Sequence, residues 1–213
     1  MPTALGPASR DSAAQWVRAT LPRTPALIRF RWHYQDERVK YAGRGTVRIQ
    51  PPDSLRFDYV GPLGLGSGAA VIIGDSVVWA DPDKDFRSLV PAVPMLWAAF
   101  AMVRPPTEQA AVFGAQLEQR VVWQFAQPAD TLAYVATPPD SARRGGMLEA
   151  EWRRRGKLVA RSWARLDTLA HPASARIDFA DAAGKTGGAR FELTVVAFDT
   201  AQVFAPVIWR SRR

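Results

Sequence analysis

The chain has 213 residues, a formal net charge of +8 and no cysteine. That length predicts one domain with a sizeable core, and the missing cysteines exclude disulfides, thiolate metal sites and cysteine nucleophiles from this sequence. No apolar run reaches the roughly 18–20 residues of a membrane-spanning helix.

The N-terminal stretch MPTALGPASRDS lacks the basic and apolar regions of a signal peptide. Asp11 to Leu21 then reads as a helix, with Ala13, Ala14, Trp16, Val17 and Leu21 on its apolar face and Asp11 as N-cap. Pro22 and Pro25 end it. Ile28, Phe30, Trp32 and Tyr34 alternate with Arg29, Arg31 and His33, the period-two pattern of a strand buried on one face. Asp36-Glu37 turns the chain into a second long strand, Val39 to Ile49. Gly43 and Gly45 in that strand predict a bend or bulge. Pro51-Pro52 interrupts the ladder, because proline has no N–H to donate. Leu55, Phe57 and Tyr59 then alternate with Arg56 and Asp58, and a glycine-rich tip, Gly61 to Gly68, carries Leu63 and Leu65. Further strands are legible at 69–73 and 76–80.

A helical interlude follows over residues 83–103. From Met95 to Val103 every residue is apolar, and a helix with no polar face must be covered on all sides. Val93–Val103 would span only about 16 Å, too short for a bilayer. It is therefore either a plug in the core or a lid over a hollow. Strands resume at 117–126, 131–136, 147–154, 157–167, 173–180 and 189–199, and the tail from Arg210 to Arg213 is expected to fray. The sum is a mainly β protein of about eleven strands with a few short helices in or over a concave face. Short turns and the absence of a βαβ rhythm predict an antiparallel sheet.

One order of residues also carries a resemblance: Gly45, Pro52, Arg56, Asp58, Gly61, Pro62, Leu63 and Gly64, followed by Gly74-Asp75-Ser76-Val77-Val78-Trp79-Ala80-Asp81-Pro82 and an apolar helix. Over about residues 25–125 the sequence resembles the LolA/LolB-like proteins, bacterial lipoprotein carriers and outer-membrane lipoprotein acceptors. The resemblance implies one domain over 1–213, an open curved sheet that holds acyl chains of lipids or lipoproteins, and a place in the periplasm or on the periplasmic face of the outer membrane. In the acceptor branch a leucine on the G-P-L-G loop is a membrane-facing tip. Leu63 matches it, with Leu65 as the near alternative. The acceptors' N-terminal lipidated cysteine has no counterpart here.

The residues expected to line an acyl-chain cavity are Phe30, Trp32, Val47, Phe57, Tyr59, Trp79, Leu96, Trp97 and Phe100. Burial of chains there needs no cofactor and no polar chemistry. The first hairpin predicts a basic outer face of Arg29, Arg31, Lys40 and Arg44. With a turn centred on Asp36-Glu37, Arg29 would lie opposite Arg44 and His33 opposite Lys40. That face is either solvated or a contact for an anionic membrane surface or an acidic envelope partner.

Other patterns carry no chemistry. Gly64, Gly66 and Gly68 are too closely spaced for a dinucleotide fingerprint. Gly184-Lys185-Thr186 lacks the first P-loop glycine, since position 179 is Phe. Asp81, Asp83 and Asp85 begin like a calcium loop, but Phe86 and Ala92 stand where Gly and Glu belong. His33 and His171 have no ligand-spaced neighbours. No G-x-S-x-G elbow occurs, and no nucleophile, base and oxyanion donor assemble, so a non-enzymatic, monomeric binding protein is expected. The arginine runs 143–144 and 153–155 are short and carry no nucleic-acid signature. A second class stays open: an envelope protein of the same scaffold that binds a protein or glycan partner through a filled sheet.

Overall fold

The computed structural model describes residues 5–62, 66–90, 92–139, 145–181, 184 and 186–210. Thirteen strands form one sheet: β1 (Gly6–Pro7), β2 (Ala26–Asp36), β3 (Lys40–Gln50), β4 (Ser54–Val60), β5 (Ser67–Ile73), β6 (Ser76–Asp81), β7 (Ala111–Leu117), β8 (Arg120–Ala126), β9 (Asp130–Thr137), β10 (Met147–Arg154), β11 (Lys157–Leu166), β12 (Pro172–Ala180) and β13 (Thr186–Asp199). Their order is β1-β7-β8-β9-β10-β11-β12-β13-β2-β3-β4-β5-β6. Every pairing is antiparallel. β6 and the β1/β7 edge do not pair, so the sheet is an open half-barrel. The two strands beyond the expected eleven are β1 and β7. Residues 117–126 do not run as one strand, because the chain reverses at Glu118, whose φ of 50° lies in the left-handed region.

Three helices occupy the concave side: α1 (Arg10–Thr20), α2 (Asp83–Leu89) and α3 (Val93–Ala99). Ser9, not Asp11, caps α1; its hydroxyl accepts the amides of Asp11 and Ser12. α1 buries Ala13 and Val17 and sets Trp16 against Trp123 (5.9 Å) and Tyr134 (6.0 Å) on β8 and β9. α2 lies against β5 and β6, and α3 against β10, β11 and β12. The expected single interlude of 83–103 is thus two short helices. The second ends at Phe100, and Ala101 takes a φ of 63°, after which Met102 and Val103 continue buried in non-helical backbone.

Two kinds of floor let the hollow close on these helices. Under α3 the sheet presents small residues, Ala150, Ala160, Ser162, Ala164 and Ala175, so a helix bearing Met95, Leu96 and Trp97 can approach closely. On β2–β4 the floor is aromatic, and two of its large rings face a glycine across the β2–β3 ladder. Phe30 pairs with Gly45 and Trp32 with Gly43. A Cβ on Gly45 would stand 2.4 Å from the Phe30 ring, and one on Gly43 would stand 2.8 Å from the Trp32 indole. These glycines therefore seat rings. They mark no bulge, since β3 pairs in unbroken register on both sides.

The β2–β3 turn is also displaced from its expected place. The Asp36 carboxylate accepts the amides of Arg38 and Val39, which fixes Glu37-Arg38 as the turn. Those two amides hold its pKa below the ordinary range, ahead of smaller contributions. The register becomes Arg31 opposite Arg44, Arg29 opposite Thr46 and His33 opposite Ala42. A shift of two residues preserves the faces, so the basic side still points outward. Tyr41 shares the apolar face opposite Tyr34 but stays 49% exposed at its end of the hairpin.

Gly45→Val should destabilise the protein by about 3 kcal/mol, because both the Phe30 ring and the Asp58 carbonyl (2.8 Å) stand where the new side chain must go. Urea unfolding followed by tryptophan fluorescence measures it. A cost below about 1 kcal/mol would show that the ring seat is soft.

Candidate functional site

Eight of the nine residues expected to line a cavity do face the hollow: Phe30, Trp32, Val47, Phe57, Tyr59, Leu96, Trp97 and Phe100. They pack on one another and on the helices. Phe30 contacts Phe57 (5.5 Å) and Phe100 (5.6 Å), Trp32 contacts Tyr59 (6.2 Å), and Phe57 contacts Phe86 of α2 (5.9 Å). Trp97 has no exposed surface, and its indole N–H donates to the carbonyl of Gly74 (2.9 Å). Here protein fills the middle of the hollow.

Trp79 is placed on the opposite side of the sheet. A bulge in β6 sets Val71 against Trp79 but Ile72 against Val77, which turns Trp79 to the outer face. There it lies under the Arg56 guanidinium (5.4 Å) and donates to the carbonyl of Trp209 (3.4 Å). Arg56 also donates to Asp58 (2.8 Å) and to the carbonyl of Ile208. Residues 200–210 thus cross the outer face from the end of β13 to β6, ending in a 3-10 turn, Pro206–Trp209. This strap explains why Val71 and Arg56 are buried on a convex surface. Leu63 and Leu65 lie outside the described residues, as do 211–213.

An opening survives at the side of the plug. A half-open cleft of about 340 Å³ lies between the start of α3, the segment after Arg104, and β8–β10. Val93, Pro94, Pro105, Phe125, Leu132 and Trp152 wall it. Asp130 stands at its edge, accepting from the Trp152 indole N–H (3.1 Å) and from Arg154 (3.1 Å), whose guanidinium lies 4.8 Å over the Trp152 ring. Gln127 donates to Thr107 across the same region (2.8 Å). These polar groups are mutually satisfied, and with Asp75 they form a fixed polar side that faces the apolar wall of the cleft. Pairing in the ladder aligns Phe125, Leu132 and Trp152 on three neighbouring strands. Their strand parity marks them as inward-facing in the sequence. Their proximity to residues 93–107, however, depends on how the chain crosses the hollow.

Behind α3, Arg104 is buried. It pairs with Asp75 (3.0 Å) and covers the Trp97 ring (5.0 Å), tying the β5–β6 turn to the plug. Burial raises the pKa of the neighbouring Tyr134 phenol well above its ordinary value.

On the outer face three pairs of arginines are each bridged by one carboxylate. Arg48 (2.6 Å) and Arg56 (2.8 Å) share Asp58. Arg153 (2.6 Å) and Arg161 (2.6 Å) share Glu151. Arg176 (2.5 Å) and Arg190 (3.1 Å) share Asp178. In the predicted basic face, Arg29 pairs with Asp199 of β13 (2.7 Å). Arg31 and Arg44 have no ion pair among the described residues.

Nothing in these contacts arranges covalent chemistry. The His171 ring stacks on Phe198 (4.2 Å) and its Nδ1 lies 3.6 Å from Asp167. Among the described residues no group of three or more His, Cys, Asp or Glu is placed to hold a metal ion. No helix of the described residues is long and apolar enough to cross a membrane.

This architecture, an open antiparallel half-barrel with helices in its hollow, is a LolA/LolB-like fold. The chain superimposes on the crystal structure of a LolA superfamily protein from Nitrosomonas europaea with a TM-score of 0.54 and 10% sequence identity, over 96% of this chain and 98% of that one. A DUF1329 family protein from Desulfovibrio piger matches with a TM-score of 0.50 and 6% identity, over 94% of this chain and 95% of that one. No protein-family model matches the sequence, and no curated protein matches it.

The Glu151 bridge predicts a pH dependence. Burial acts to raise the Glu151 carboxyl, but the bonds from Arg153 and Arg161 outweigh it and hold the pKa below the ordinary value. A carboxyl depressed in the folded state stabilises the fold above its unfolded pKa of about 4.3, and that stability is lost as pH falls through the folded value. Glu151→Gln should therefore cost about 1 kcal/mol at neutral pH. The gap between parent and variant should close as the solution is acidified below pH of about 4. A gap that stays constant down to the acid-unfolded state would remove Glu151 from the acid response.

Proposed function

We propose that this protein is a non-enzymatic lipid- or lipoprotein-binding protein of the bacterial envelope, a single LolA/LolB-like domain in the periplasm or on the periplasmic face of the outer membrane. The observation that carries the reading is the apolar cleft beside the α3 plug. Its walls come from the concave face on which the fold would hold acyl chains, and its lip is polar and pre-formed. A chain entering there lays methylenes against Phe125, Leu132 and Trp152, while a polar headgroup stays at Asp130 and Arg154. Each buried CH₂ is worth about 0.8 kcal/mol, so roughly ten carbons supply up to about 8 kcal/mol before the cost of immobilising the chain. The aromatic residues Phe30, Trp32, Phe57 and Tyr59 would join the site only if the plug moved. Val47 belongs to that same floor, Leu96, Trp97 and Phe100 belong to the plug itself, and Leu63 and Leu65 would serve as a membrane-contacting tip.

A second reading is favoured by the filled hollow itself: the scaffold binds an envelope protein or a glycan without taking lipid. Native mass spectrometry separates the two, through co-purifying lipid in one case and an apo mass in the other.

Leu132→Glu puts a carboxylate into the cleft wall, and Arg153→Ala alters only the outer face. The first should weaken a fluorescent fatty acid about tenfold or more and the second less than about twofold, since an unpaired charge in an apolar slot costs several kcal/mol. Equal affinity in parent and Leu132→Glu, with both folded by circular dichroism, would remove the cleft from lipid binding.

A further inference from the structure

Three pairs of arginines on the outer face each share a carboxylate, Asp58, Glu151 or Asp178, and a fourth pair does not. The fourth is Arg31 and Arg44. They are directly opposed in the β2–β3 ladder, both exposed, and the next residues along their row are Thr194 of β13 and Val60 of β4. Like charges set opposite one another destabilise a ladder. Nearby acids are already committed or displaced: Asp199 holds Arg29, Asp58 holds Arg48 and Arg56, and Glu192 sits one row away, opposite His33. The place that a carboxylate fills in the other three pairs therefore has no protein anion here, among the described residues.

We propose that Arg31 and Arg44 form a phosphate clamp for the headgroup of an anionic phospholipid, through which the outer face of β13-β2-β3 rests on a membrane surface. Two guanidiniums side by side match the oxygens of one phosphate. A lipid surface is favoured over a free phosphate by the apolar residues on the same face. Val196, extruded by the β13 bulge between Val195 and Ala197, is 62% exposed and lies in the strand next to Arg31. Further along the same face, on the strap over the rows of Pro25 and Arg56, Val203 is 95% and Val207 68% exposed. Apolar side chains dipping between headgroups beside phosphate-binding arginines are the combination an interfacial surface requires. The inference does not rest on the cleft, which opens on the concave side.

The test is co-sedimentation at physiological salt with vesicles of phosphatidylcholine, with or without phosphatidylglycerol. The parent should bind the anionic vesicles, and Arg31→Gln/Arg44→Gln should bind roughly tenfold more weakly. Arg18→Gln/Arg23→Gln removes the same charge elsewhere and should change binding less than about twofold. Thr194→Glu supplies the missing carboxylate from the neighbouring strand. It should raise the melting temperature and weaken vesicle binding. This second variant keeps the proposal testable if the double glutamine variant folds poorly. Equal losses from the two double variants would reduce the effect to bulk charge and overturn the clamp. Calorimetric binding of inorganic phosphate without vesicle binding would overturn the lipid surface in favour of a free anion.

Discussion

The structure depends on the need to cover a helix that has no polar face. α3 and the residues after it, through Val103, are apolar in every direction, so water must be excluded from all sides of the segment. A flat sheet covers one side. A sheet of thirteen strands that curls, with α1 and α2 completing the enclosure, covers the rest. The curl in turn requires that the concave floor carry no more side-chain volume than the helices leave room for. Alanines and one serine under α3, and glycines beneath the Phe30 and Trp32 rings, are how the sequence meets that limit.

Filling the hollow this way determines where anything else can bind. The plug is short: Pro94 lies in the first turn of α3, and Ala101 redirects the chain just beyond its end. At the α3 start the floor of β8–β10 extends past the helix, and the cleft is the uncovered remainder. The Arg104–Asp75 pair, whose aspartate also lines the cleft, and the Trp97–Gly74 bond hold the plug to the β5–β6 turn. Enlarging the site towards the aromatic floor would therefore require breaking the pair between a buried arginine and a half-exposed aspartate as well as the Trp97 hydrogen bond, a cost that a ligand must offset.

The outer face follows a different rule. Arginines alternate with inward apolar residues along β2–β4 and β10–β13, and three carboxylates, each shared by two guanidiniums, relieve much of their repulsion. Two positive charges to one negative leave a net positive surface even where every partner is satisfied. Where the strap crosses, Arg56 gives up most of its contact with water, taking the Ile208 carbonyl and the Trp79 ring in its place. The same side chain is thus half of a bridged pair and the anchor of the C-terminal segment.

How much of this was legible in the sequence follows from the range of the interactions. Alternation placed Phe30, Trp32, Phe57 and Tyr59 inward and Arg29, Arg31 and Arg44 outward, because side-chain parity is a local property of a strand. The unbroken apolar run marked 95–103 as buried because it leaves no polar face, and repeated alternation joined by short turns pointed to an antiparallel sheet. Trp79 escaped that logic because a single extra residue in β6 reverses parity, and nothing in Ser76–Asp81 announces the bulge. The pairing of Arg31 with Arg44 awaited the Asp36 side chain, which captures two amides and moves the turn by one residue. Gly43 and Gly45 are ring seats only in the presence of the strand beside them. The cleft joins Pro94 and Pro105 to Phe125, Leu132 and Trp152, residues far apart along the chain. Local periodicity settles which face a side chain takes; only the closed path of the chain around its plug decides which faces meet.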